Sequence, residues 1–132
     1  MDTLNVSHEE EALAVMSGHF RPFVPCAYFD KPLDCIRVVI ADRSAVEVRL
    51  NEFFTILRAA HPGPTQYVGF TIKGVVNLFD RVGLPRDRVL RLVEILDAIA
   101  KTMPHQSLKI VREEFNEALE KDDLSVNLAQ AA

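Results

Sequence analysis

What the sequence lacks constrains it first. Only two cysteines occur in 132 residues, Cys26 and Cys35. That rules out a disulfide scaffold and makes two free thiols the expectation. No apolar run approaches the roughly 18–20 residues that a membrane span needs. The longest candidate, Val68 to Val82, is interrupted by Lys73, Asn77, Asp80 and Arg81. The N-terminus reads MDTLNVSHEEEAL, acidic where a secretion signal is basic. A cytoplasmic chain with no membrane association is expected. Gly-rich phosphate loops, a Gly-x-Ser-x-Gly elbow and a His-Glu-x-x-His pair are all missing. The nearest set of metal-ligand types, His19, Cys26 and Cys35, has gaps of six and eight residues, too wide for the compact spacing of structural zinc sites. Neither a metal nor a cofactor is expected.

What is present fits one globular domain, with 48% apolar residues, 26% charged residues and a formal charge of −4. Ser7-His8-Glu9-Glu10 has a capping-box pattern, and Glu9 to Glu11 suit the positive end of a helix dipole. A short helix from His8 to Ser17 is predicted, stopping at Gly18. Ser44-Ala45-Val46-Glu47 repeats the capping pattern. Val46, Leu50, Phe53, Phe54 and Leu57 then fall at i, i+4, i+7, i+8 and i+11, which predicts a helix over 45–60. Val46, Val48 and Leu50 also alternate as in a strand, so the first turn is ambiguous. Beyond Pro64, one helical stripe holds Val68, Ile72, Val75, Val76, Phe79 and Val82, widened by Tyr67, Phe70 and Leu78. A strand through 67–72 is the alternative. Gly83 and Pro85 end that helix. Asp87 caps another with Val89, Leu92, Val93, Leu96 and Ile99 inward, closed by Met103-Pro104. Ser107 opens the last, with Leu108, Val111, Phe115 and Leu119 inward.

Two segments break the helical pattern. His19 to Asp34 carries Pro22, Pro25 and Pro32 among Phe20, Phe23, Tyr28 and Phe29, and prolines at that density favour extended backbone. Cys35 to Ala41 is rich in β-branched residues and reads as a short buried strand. The fold class expected is therefore mainly α: a compact four- to five-helix bundle with an extended aromatic, proline-rich N-terminal arm. The alternative is α+β, with a small sheet using segments 35–41 and 65–72. The domain division is a short helix over 1–18, one globular domain over 19–121 that includes the arm 19–34, and a frayed tail over 122–132.

Charge is unevenly spread. Residues 1–17 carry four acids and no bases, and residues 113–123 carry six acids against Lys121. The stretch between has fourteen Lys and Arg against nine Asp and Glu. Within it, Gly74 to Ala98 reads GVVNLFDRVGLPRDRVLRLVEILDA, the layout of a helix-turn-helix. Val82 to Leu92 resembles the turn and recognition helix of winged-helix regulators of the IclR type. The resemblance implies a turn at Gly83 and a second helix anchored by Val89, Leu92 and Val93. It also implies that Arg86, Arg88 and Arg91 face the major groove. The segment departs from that pattern at Phe79, where a small residue is usual, and no wing hairpin follows.

Three functional readings result. The leading one is a small regulatory or accessory protein that binds another protein through the arm, with Phe20, Phe23, Tyr28 and Phe29 as the contacts. The second is a DNA-binding regulator, acting as a homodimer, that uses Arg86, Arg88 and Arg91. The third is a small enzyme or ligand-binding domain near residues 30–35. There Asp30 and Asp34 flank Lys31-Pro32-Leu33 beside Cys35, and Asp42 and His61 are the other titratable loop residues. A pocket lined by Tyr28, Phe29, Tyr67 and Phe70 belongs to the same reading. Catalysis is the least expected of these, since a carboxylate beside proline is commonly a turn or cap residue.

Overall fold

β-Branched residues, not helical periodicity, decide the architecture. A computed structural model describes residues 23–63 and 66–129. The helix expected within 1–18, and Phe20 of the arm, lie outside the described residues. Cys26–Asp30 (β1), Cys35–Val39 (β2), Ala45–Arg49 (β3), Phe54–Ala59 (β4) and Tyr67–Lys73 (β5) form an antiparallel sheet in the order β1-β2-β5-β4-β3. Helix Val75–Val82 (α1) follows, then strand Val89–Arg91 (β6) and helices Leu92–Thr102 (α2), Gln106–Glu114 (α3) and Asn116–Lys121 (α4). Strand Ser125–Asn127 (β7) returns to pair with β6 as a separate two-stranded ribbon.

The register puts one apolar face of the sheet under the helices. Phe29, Ile36, Ile72 and Phe54 stand opposite one another across β1, β2, β5 and β4. Ala27, Val38, Phe70, Ile56 and Val48 make the adjoining row. These residues join Leu78, Phe79, Leu92, Ile95, Ile99, Leu108, Val111 and Phe115 in one core. A β-bulge between β4 and β5 leaves Val68 without a partner, Leu57 facing Gly69 and Arg58 facing Tyr67. Tyr67 packs against the core, with its ring centroid 6.1 Å from that of Phe115.

The mainly helical expectation is therefore wrong, and the protein is α+β. The helix expected over 45–60 is the β3–β4 hairpin. Its apolar spacing arises because a turn at 50–53 folds Val48 and Leu50 onto the same side as Phe54 and Ile56. Asn51 builds that turn, its Oδ1 accepting the N–H groups of Phe53 and Phe54 at 2.8 Å each. The helix expected from Pro64 to Val82 is β5 up to Lys73 and becomes α1 only at Val75. Segments 35–41 and 65–72, the small sheet of the alternative, do pair: Cys35–Val39 lies against Gly69–Lys73. They form the centre of a sheet with three further strands. The tail is not frayed at 124–127, since Leu124 and Val126 are buried and β7 closes the ribbon.

The β1–β2 connection shows how one residue ties the sheet to the helices. Asp34 has φ 49°, a left-handed conformation that Asp adopts more readily than most residues. Its carbonyl accepts the N–H of Val75 at 3.2 Å and its Oδ1 accepts that of Val76 at 3.1 Å. The first turn of α1 is thus capped from a loop forty residues away in sequence. Asp34→Ala removes the acceptor and strains the backbone, at an expected cost of about 1–2 kcal/mol. Asp34→Asn keeps both features and is expected to cost little. Urea titration of both variants checks the difference.

Candidate functional site

The 30–35 corner, the place of the third reading (a small enzyme or ligand-binding domain), is the turn 31–34 between the end of β1 at Asp30 and the start of β2 at Cys35. Asp30 Oδ1 accepts the N–H of Leu33 at 3.3 Å, and Oδ2 accepts from Arg37 Nε at 3.4 Å. Asp34 is occupied by the helix cap. Cys35 is buried, and burial pushes its thiol above the ordinary value of 9.0, with Arg37 pulling the other way. A thiol with a raised pKa is a poor nucleophile at neutral pH. Asp42 follows the far end of β2, at the opposite end of the sheet from Asp34, so these carboxylates do not converge. Among the described residues, no group of three His, Cys, Asp or Glu could hold a metal ion.

The raised Cys35 thiol has a consequence for stability. Near neutrality the thiol is protonated whether the chain is folded or unfolded. Above the ordinary value of 9.0 the unfolded chain ionises first, so stability is lost as pH rises through the interval up to the folded value. Urea midpoints at pH 8 and pH 10 are expected to fall further for the native chain than for Cys35→Ala.

The helix-turn-helix layout is not formed. α1 ends at Gly83, whose φ of 77° suits the glycine stop, but the second helix begins at Leu92, well beyond Pro85. Residues 84–91 instead form a loop and β6, because Leu90 is drawn into the core and faces Val126 of β7. Arg86 lies in that loop with its Nε 3.5 Å from Asp80 Oδ1. Arg88 is exposed there. Arg91 sits at the end of β6, 2.6 Å from Asp123 Oδ1, with Glu94 Oε1 accepting its backbone N–H. The three arginines share no helix face.

Two clefts flank the α2–α3 corner. One, of about 230 Å³, is lined by Asn51, Phe53, Ile99, Met103 and His105 among others. The other, of about 240 Å³, runs past Leu96, Ala100 and Arg112. Sequence reasoning missed the polar network between hairpin and corner. His105 Nδ1 accepts the Ser107 N–H at 3.0 Å and lies 2.8 Å from Ser107 Oγ, which accepts from Asn51 Nδ2 at 2.9 Å. The His-x-Ser spacing at the start of α3 was the available signal. This arrangement caps α3 and fastens the hairpin turn to it, so its polar groups are spent on structure.

The arm residues are placed differently from one another. Phe29 is in the core at 4% exposure and is not available to a partner. Phe23 and Tyr28 are each 37% exposed. No family model, curated protein or solved structure matches the chain. The site must therefore be read from its own surface. Seven large apolar side chains stay exposed among the described residues: Phe23, Val24, Tyr28, Leu33, Val46, Val89 and Ile110. Four of the seven lie on β1 or the segments that flank it. A fifth, Val89, lines a shallow slot of about 290 Å³ with Tyr28, Ala27 and Asn127, between β1 and the ribbon. Exposed apolar groups scattered singly are ordinary; here four of the seven gather along one edge strand.

Proposed function

We propose that this chain is a cytoplasmic binding module for another protein, in a regulatory or accessory role. The observation that supports it is the run of exposed apolar side chains along β1 and its flanks, Phe23, Val24, Tyr28 and Leu33, with Val89 sharing a slot with Tyr28. Aromatic anchors with an apolar body and a polar tip, as in Tyr28, are the side chains that dominate such contacts. No described helix is long and apolar enough to cross a membrane.

A photo-crosslinking amino acid at Phe23 tests the reading in the full chain within its native cells. One discrete crosslinked partner is expected, lost when Val24→Asp and Tyr28→Asp are combined. The same probe at Ile110 is expected to give no such product. Crosslinks that are equally diffuse from both positions, or that ignore the Tyr28 change, remove the proposal.

A further inference from the structure

The second face of the sheet is screened from solvent at its centre. The helices and ribbon pack on the face that carries Ile36, Val38, Phe54, Ile56, Phe70 and Ile72. By strand alternation, Cys35 and Val39 of β2, Thr71 of β5, and Thr55 and Leu57 of β4 point the other way, and none of them belongs to that core. An antiparallel sheet face left to water exposes its side chains. Here Cys35, Thr55 and Thr71 are 3%, 2% and 2% exposed. The Thr71 hydroxyl is buried with no hydrogen-bond partner, an arrangement that costs free energy unless something above it compensates.

Three features of the chain point to what lies there. Twenty-two residues precede Phe23, and they join the sheet through β1, an edge strand. A ten-residue helix over 8–17 would be about 15 Å long, against about 19 Å for five strands side by side, so it reaches most of the way across. Leu13 and Met16 stand three residues apart within it, on one helical stripe. The segment also holds Asp2, Glu9, Glu10 and Glu11 with no Lys or Arg before Arg21. The second face presents Arg37, Arg49 and Lys73 against Asp30 and Glu47, and Asp30 is already taken by Arg37. We propose that residues 1–22 of this same chain pack across the second face, setting their apolar stripe over Cys35, Val39, Leu57 and the two threonines.

Cys35 reports the cover directly. In the full chain carrying Cys26→Ser, Cys35 is expected to alkylate slowly with iodoacetamide. Adding Leu13→Asp and Met16→Asp is expected to raise the rate on the order of tenfold or more, while circular dichroism and cooperative unfolding persist. An unchanged rate in a folded variant overturns the proposal, because the strands themselves would then protect the thiol. Protection that weakens on dilution of the unsubstituted chain also overturns it, and assigns the face to a second copy. If the double variant does not fold, the unsubstituted chain decides. Nuclear Overhauser contacts from the Leu13 or Met16 methyls to those of Val39, Leu57 or Thr71 support the cover, and their absence overturns it.

Discussion

Gly69→Ala is expected to destabilise the protein by about 3 kcal/mol or more, beyond what a single methyl group usually does. A Cβ at this position would overlap the carbonyl oxygen of Val38 and press on the Val38 carbon and the Val39 Cα. All of these are backbone atoms in β2, the strand hydrogen-bonded beside it. A flexible side chain could swing aside, but a paired strand moves only by breaking its register. The bulge aggravates this, since Gly69 is also the last residue matched to β4 before Val68 drops out of the pairing. Gly83→Ala is the useful comparison, because that site has open space and only the left-handed backbone to strain. Its expected loss is about 1 kcal/mol. If urea midpoints show the two variants equally stable, the close approach of β2 to β5 is misplaced.

Local chemistry was readable where it was decided locally. Gly83 with Pro85 marks the end of α1, and Met103-Pro104 closes α2, because both depend on backbone conformations that few residues adopt. The four inward residues of the last helical stretch are buried as the spacing implied, although the helix breaks at Phe115 into α3 and α4. The strand in Cys35–Val39 followed from its β-branched composition. Its partner was harder to see: Tyr67 to Ile72 is apolar at nearly every position, and a fully buried strand cannot be told from a buried helix by periodicity. The hairpin over 45–59 was lost for a different reason. A turn placed four residues after Val46 lets a strand pair mimic helical spacing, and only Asn51 with its two accepted amides betrays the turn.

The same ambiguity governed the candidate sites. The resemblance set Arg86, Arg88 and Arg91 toward one groove only if a helix began straight after Pro85. Once Leu90 enters the core as part of β6, the three side chains diverge and two of them are held by carboxylates. The aromatic arm fared better because proline content is a local constraint, and β1 is indeed extended. Its alternation then divides the aromatics, sending Phe29 inward and leaving Tyr28 at the surface. That division needs the register of β1 against β2, which no single strand encodes.

Phe70→Ala is expected to cost about 3–5 kcal/mol, which takes much of the 5–15 kcal/mol that holds a domain of this size together. Phe70 is fully buried at the centre of β5, between Val38 of β2 and Ile56 of β4. Its ring centroid lies 5.0 Å from that of Phe115 at an interplanar angle of 53°, a tilted aromatic pair. The loss therefore has two parts: a cavity at the middle of the sheet, and the ring contact that fixes the α3–α4 break onto it. Phe115→Ala removes the second part and leaves β5 intact. A double-mutant cycle separates them, with an expected coupling of about 1 kcal/mol between the two rings. Phe23→Ala, at the exposed edge, is expected to fall within about 0.5 kcal/mol of the native chain. Zero coupling between Phe70 and Phe115 would mean that the helices do not seat on the sheet at this point. The core that shapes the β1 edge would then have to be redrawn.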